Sequence, residues 1–214
     1  GVSDKDAAAM MLKGMTAHYL LRRTYEVKAG DTILFHAAAG GVGLIACQWA
    51  KHLGATVIGT VGSEEKAALA KQAGADHTIL YRDEDVPARV RDITGGKMVP
   101  VVYDGVGKDT FEMSLNCLAP LGLLASFGNA SGPVPPFDLS ILNLKGSLFV
   151  TRPSLAAYTA SDEDLAMTAA DLFEVMAKGA VKADVRQEYA LADAAQAHID
   201  LEGRKTTGAT VLIP

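Results

Sequence analysis

Thr32-Ile33-Leu34-Phe35-His36-Ala37-Ala38-Ala39-Gly40-Gly41-Val42-Gly43 runs directly into the apolar stretch Leu44–Leu53. A short β-rich run breaks into small residues and then takes on helical character. Such a junction delivers an anion to a helix N-terminus, where unpaired backbone N–H groups and the positive end of the dipole favour phosphate. Small side chains let the backbone approach the ligand closely. The pattern places Gly40 and Gly43 as in a G-x-G-x-x-G dinucleotide fingerprint, with Ala38 where the first glycine is usual. Gly40, Gly41, Val42 and Gly43 are therefore the expected pyrophosphate contacts.

Outward from this junction, strands and helices alternate. The expected strands are Thr32–His36, Thr56–Thr60, His77–Tyr81, Val99–Asp104, Leu121–Phe127 and Gly146–Thr151. Most are near-continuous apolar runs, as in parallel strands covered on both faces. Helices are expected near 41–53, 64–73, 84–94, 109–117 and 162–178, with Gly54, Gly74 and Gly95 where C-caps belong. The fold class is α/β, a doubly wound six-stranded parallel sheet in the order 3-2-1-4-5-6. Residues 3–24 read as helix opened by the capping pair Ser3 and Asp6, with Gly14 expected to part it into two pieces. The segment 129–140 reads as irregular loop. Lys182–Tyr189, Leu191–Glu202 and Ala209–Ile213 do not continue the alternation, and the last strand is expected to need a sheet from outside the chain.

Bulk properties narrow the function classes. The chain has 214 residues, 21% of them charged, and a formal net charge of −5. No basic stripe is visible, so nucleic acid is not an expected partner. No apolar run reaches the ~20 residues of a membrane span. Residues 1–30 lack the basic start and apolar stretch of a signal peptide. The opening residue is Gly1, as in a processed or cut product. Cys47 and Cys117 fall in apolar helical patterns, which fits free thiols in a reducing cytoplasm. No Cys/His spacing suits a metal site.

In an open α/β sheet, ligand binds beyond the carboxyl ends of the strands. The second such end reads Gly59-Thr60-Val61-Gly62-Ser63-Glu64-Glu65-Lys66 and carries no acid at its tip. An NAD site places Asp or Glu there, about 20 residues past the glycines, for the ribose hydroxyls. Lys66 opposes the dipole in a helix first turn by ~0.3–1 kcal/mol, a penalty that a 2′-phosphate offsets. NADPH is the expected cofactor. Tyr81 and Arg82 follow the third strand. Asp104-Gly105-Val106-Gly107, Phe127-Gly128-Asn129 and Val150-Thr151-Arg152-Pro153 end the next three strands; Gly105 and Gly107 leave room for the ribose near the nicotinamide, Gly128 ends the fifth strand in the same way, and Val106 is a further expected cofactor contact. His18, His36, His52, His77 and His198 have no nucleophile or acid at suggestive spacing, so no catalytic residue and no metal ligand is assigned.

The segments His36–Gly54, Tyr103–Gly107, Ser126–Asn129, Leu142–Ser147, Val150–Ser154, Ala194–His198 and Leu212–Pro214 together resemble the zinc-free quinone oxidoreductases of the medium-chain dehydrogenase/reductase superfamily. The resemblance spans essentially the whole chain. It implies an oxidoreductase that transfers hydride from NADPH to a quinone, without zinc, in a cleft between a GroES-like catalytic domain and this Rossmann domain. It assigns pyrophosphate contact to Gly41 and Val42, and the 2′-phosphate to Lys66 and Tyr81 with Ser63 nearby. Phe127, Asn129 and Arg152 would border the nicotinamide half, and Thr16 and Arg204 would approach the cofactor. It further implies a homodimer through the strand Gly146–Thr151, a cofactor domain over 1–180 with a helical lead-in over 1–24, and a return segment over 181–214 that pairs with a GroES-like domain expected before Gly1. Without that domain, turnover is expected to be poor. An enoyl or alkenal double-bond reductase of the same superfamily stays open as a rival, as does a non-catalytic NADPH-binding module. A methyltransferase would want an acid at the second strand tip, and no Tyr-x-x-x-Lys of a short-chain dehydrogenase occurs.

Overall fold

The computed structural model describes residues 2–203 and 205–214. Helix α1 (Asp4–Tyr19) is capped by Ser3, whose hydroxyl oxygen accepts from the Asp6 N–H. It runs on as a π-helical turn over Leu20–Thr24. Gly14 does not divide it. A Cβ at Gly14 would meet the Leu172 methyls at 2.7 and 2.8 Å, so the glycine admits a neighbouring helix instead of ending its own.

Six parallel strands follow: β1 (Thr32–Phe35), β2 (Thr56–Val61), β3 (His77–Leu80), β4 (Val99–Asp104), β5 (Leu118–Ser126) and β6 (Phe149–Thr151). Their order is β3-β2-β1-β4-β5-β6, as the alternation predicts. Helices α2 (Gly41–His52), α3 (Glu64–Gln72), α4 (Val86–Ile93) and α5 (Phe111–Cys117) connect them, and α6 (Ser140–Leu144), α7 (Leu155–Tyr158) and α8 (Asp162–Ala177) flank β6. Both sheet faces are covered. Ile33, Phe35, Val101 and Tyr103 face a core shared with α1, α2 and α8, whereas Leu34 and Val102 face a second core with α4 and α5. Alternate residues of β1 and β4 thus serve opposite layers, which is why these strands read as continuous apolar runs.

The strand ends lie within one residue of expectation, and two strand starts differ from it. Strand β5 starts at Leu118, straight from α5 without a loop, and its pairing with β4 shifts register between Val99 and Val101. Strand β6 starts at Phe149 rather than Gly146, because Gly146 (φ 110°) and Ser147 (φ 58°) lie in the left-handed region, which no strand can enter.

The tail forms its own β-α-β unit: β7 (Val185–Ala190), α9 (Ala194–Glu202) and β8 (Ala209–Ile213). The two strands pair in parallel, from Val185↔Ala209 to Ala190↔Ile213. The last strand therefore has a partner within the chain, contrary to the sequence expectation. Ala209 and Val211 pack on Ala9 of α1, and Gln48 of α2 both donates to the Lys182 carbonyl and accepts from the Lys182 N–H.

Candidate functional site

The carboxyl ends of the six strands form one crest, and the β1–α2 turn sits at its switch point. Ala37 adopts φ 54°, a left-handed conformation that costs a non-glycine residue of order 1 kcal/mol. The strained residue is Ala37, whereas the fingerprint substitution is at Ala38. The methyl of Ala38 is fully buried, and a Cβ at Gly59 of β2 would approach it to 2.6 Å. Alanine replaces the first fingerprint glycine here because the neighbouring strand has lost its own side chain. A Cβ at Gly43 would lie 2.5 Å from the Ala37 carbonyl oxygen and 2.6 Å from that of Ala38, so only glycine lets α2 begin against this turn. The first turn of α2 has no side-chain cap and no acidic residue, which leaves its N–H groups open to an anion.

One contact at this turn is not legible in the sequence. A Cβ at Gly41 would touch Cδ and Cε of Lys13 at 2.8 Å and its Nζ at 3.0 Å. The Lys13 ammonium thus lies over the positive end of α2, where burial pulls its pKa below the ordinary value. It has no ion pair among the described residues. Thr16, one turn further along α1, donates its hydroxyl to the Leu12 carbonyl at 2.7 Å.

Beyond β2, Ser63 caps α3 by accepting from the Lys66 N–H at 3.3 Å. Gly62 lies beneath the ring of Tyr81, and a Cβ there would be 2.9 Å from the phenol oxygen. The fold thereby brings Ser63, Lys66 and Tyr81 to one strand tip, with the Arg82 guanidinium stacked 5.9 Å from the Tyr81 ring centre. The acids next to this tip, Glu64 and Glu65, are in the first turn of α3.

The tips of β4, β5 and β6 are tied together. Asp104 is buried and accepts from the Val106 and Gly107 N–H groups at 2.8 and 3.0 Å, and from the hydroxyls of Thr110 and Ser114 at 2.7 and 2.9 Å. Gly105 and Gly128 pass so closely that a Cβ on Gly128 would be 2.4 Å from the Gly105 carbonyl oxygen. Phe127 packs against Phe35, with ring centres 5.8 Å apart. One Arg152 guanidinium nitrogen donates to the carbonyls of Ser126 and Gly128, at 2.7 and 3.1 Å. Asn129 and Arg152 border a cleft of about 280 Å³ whose apolar lining includes Phe111, Phe137 and Val150. Gly40, Gly41, Val42, Gly43, Gly105, Val106, Phe127, Gly128, Asn129 and Arg152 therefore share the crest, and the position expected for Arg204 lies outside the described residues.

His36 does have polar partners: its Nδ1 is 2.8 Å from Thr60 Oγ1 and its Nε2 is 3.0 Å from Ser114 Oγ. Residues so far apart in sequence carry no spacing signal.

Among the described residues, no three His, Cys, Asp or Glu side chains gather as ligands. Burial pushes both the Cys47 and Cys117 thiols up to about 12, far from the thiolate that zinc requires. The described residues do not fit a zinc site.

Comparison with known proteins places this geometry. Residues 41–173 match the family described as zinc-binding dehydrogenase. A quinone oxidoreductase from Pseudomonas aeruginosa is 58% identical over 214 residues, covering 100% of this chain and 66% of that protein. The crystal structure of Escherichia coli quinone oxidoreductase complexed with NADPH superposes with a TM-score of 0.97 at 56% identity, and covers 100% of this chain and 66% of its own. A 2-haloacrylate reductase from a Burkholderia species is 48% identical over 214 residues, with 100% of this chain and 64% of that protein covered. The chain thus spans just under two thirds of the length of these relatives. The match begins at Gly41, where α2 leaves the β1–α2 turn, and runs into α8, so the chain belongs to the zinc-binding dehydrogenase family.

Proposed function

We propose that this chain is the NADPH-binding domain of a quinone oxidoreductase that works without zinc. The observation that carries this reading is the β2 tip, where Ser63 caps the helical turn that bears Lys66, and Tyr81 lies over Gly62, with no acid at the strand tip itself. A cation, a hydroxyl and a phenol suit a 2′-phosphate, whereas a ribose diol calls for a carboxylate. Bound NADPH would supply a hydride. The open N–H groups of Gly41, Val42 and Gly43 would hold the pyrophosphate, with the Lys13 ammonium above them. Gly105, Val106 and Gly128 would leave space for the nicotinamide ribose. Phe127, Asn129 and Arg152 would flank the ring, and Thr16 and Arg204 would approach from α1 and the tail. No side chain of this chain is given a proton-transfer role.

Residues 1–180 form the cofactor domain in this reading, and 181–214 pack against a catalytic domain within the part of the relatives' length that this chain does not span. Leu201, Leu212 and Ile213 are exposed on that tail and would be covered there. The sheet ends at β6, where Phe149 is 59% exposed, Leu121 of β5 and Leu144 of α6 are exposed as well, and a second copy would pair along this edge. The buried free thiols fit a cytoplasmic compartment. No helix among the described residues is long and apolar enough to cross a membrane.

Titration with NADPH and NADH tests the cofactor reading. We expect tighter binding of NADPH, and a loss of about tenfold for NADPH alone in Lys66→Ala, the size of one charge-assisted contact. Equal affinity for both cofactors would overturn it. The 48% identical 2-haloacrylate reductase supports a second reading, an activated-alkene reductase. Faster NADPH oxidation with an enone than with a quinone, in the intact protein, would favour that one.

A further inference from the structure

Cofactor binding alone does not explain why a row of buried polar side chains crosses the sheet under the crest. His36 is 1% exposed, Thr60 1%, Asp104 1% and Ser114 0%. Burying four such groups is costly unless every one is satisfied. Their hydrogen positions follow from elimination. Asp104 meets only donors: two backbone N–H groups and the hydroxyls of Thr110 and Ser114. Ser114 has one hydroxyl hydrogen and gives it to Asp104, so toward His36 its oxygen can only accept. His36 Nε2 must then carry a hydrogen and donate across the 3.0 Å contact. In the neutral ring, Nδ1 is left as the acceptor, and Thr60 donates to it across 2.8 Å. Burial lowers the His36 pKa, which agrees with a neutral ring.

The row thus runs in one direction, Thr60 to His36 to Ser114 to Asp104. It starts on β2, two residues before Gly62, crosses the end of β1, and finishes at the head of the Gly105–Gly107 turn. Those are the two ends of the candidate cofactor cleft. The Thr60 backbone joins the same frame, since its carbonyl accepts from the Ala38 N–H of the phosphate turn at 3.1 Å.

We propose that His36 is a positioning residue that sets the spacing between the adenosine end and the nicotinamide end of the cleft, through its links to Thr60 and Ser114. The proposal rests on the cofactor reading above. It predicts a loss seen only by a ligand that spans both ends. NADPH spans them, whereas 2′,5′-ADP occupies the adenosine end alone.

The test is calorimetric titration of the wild type, Thr60→Val, Ser114→Ala and the double variant with both ligands, alongside thermal unfolding. Thr60→Val keeps the side-chain shape and Ser114→Ala removes a single oxygen, and one folded variant is enough for the comparison. Each single variant should weaken NADPH about five- to tenfold, the worth of one net hydrogen bond, while 2′,5′-ADP changes less than twofold. The double variant should be no weaker than the worse single one, because either change breaks the same row. Parallel losses for both ligands, additive losses in the double variant, or unchanged NADPH affinity would each overturn the proposal. A wild type that binds neither ligand would remove the cofactor reading itself, and this inference with it. A wild type that binds both, with the ratio unmoved in the variants, would sink this inference alone.

Discussion

At the ends of β2 and β3, the side chains of Lys66 and Tyr81 make no hydrogen bond and no ion pair among the described residues, and Gly62 lies beneath the Tyr81 ring. At the ends of β4, β5 and β6 the polar groups are used internally. Asp104 takes four donors, Arg152 is bound to two carbonyls, and Ser131 fastens the following loop to the Val106 carbonyl at 2.8 Å. A group committed to its own fold contributes shape, and a group left open can recognise charge. The first half of the crest is therefore suited to choosing a ligand, and the second half to holding a ring in a preformed place.

Breaking the built half should cost the most. Asp104→Ala removes the acceptor for two hydroxyls and two backbone N–H groups in a buried site. Unsatisfied buried donors cost ~1–3 kcal/mol each, and partial relaxation leaves an expected destabilisation of about 3–5 kcal/mol. Urea unfolding followed by circular dichroism would measure it. A loss below about 1 kcal/mol would show that this half is not the rigid one.

The β1–α2 turn, the proposed phosphate site, sits between the halves, and two of its glycines separate shape from charge. In Gly43→Ala, the new methyl meets backbone at 2.5 Å, which cannot move aside, so a loss of about 1–3 kcal/mol is expected along with NADPH binding. In Gly41→Ala, the nearest atoms to the methyl are those at the far end of the flexible Lys13 chain, and stability should stay within about 0.5 kcal/mol of wild type. Similar losses in both would mean that the turn is not shaped around Gly43.

Much of this division was open to sequence reasoning. The strand order followed from continuous apolar runs between helical stretches, and the glycine turn from its small residues after β1. That Ser63, Lys66 and Tyr81 lie at neighbouring strand tips was legible because tips follow directly from strand ends. What escaped were contacts between residues distant in the chain. Gly14 reads as a helix breaker until Leu172 fills its space, and Lys13 is an ordinary surface lysine until α1 lies on Gly41. The pairing of β7 with β8 depends on a crossover through α9. His36 reads as a strand-end residue, because Thr60 and Ser114 come from two other elements.

Acid should expose the same difference between the halves, with a smaller effect. His36 is held neutral by burial, against the opposing pull of Asp104. His18 is also buried and lowered, although its 2.9 Å contact with Asp171 works the other way, and Arg22 and Arg23 add to the lowering. In the unfolded chain both rings titrate near 6.5. Below that pH the unfolded state takes up protons that the folded state refuses, so unfolding gains as pH falls. The stability is fully present above pH 6.5 and is lost as pH drops from there toward the folded-state values. The slope is at most ~1.4 kcal/mol per pH unit for each histidine. Asp76 is lowered from 3.8, so its contribution is lost only in a more acidic window. Urea midpoints at pH 7.5 and 5.5 would measure the histidine share, and His18→Phe should cut the change by about half. A flat profile would mean that both rings protonate inside the fold, and the direction derived for the row from Thr60 to Asp104 would then fail.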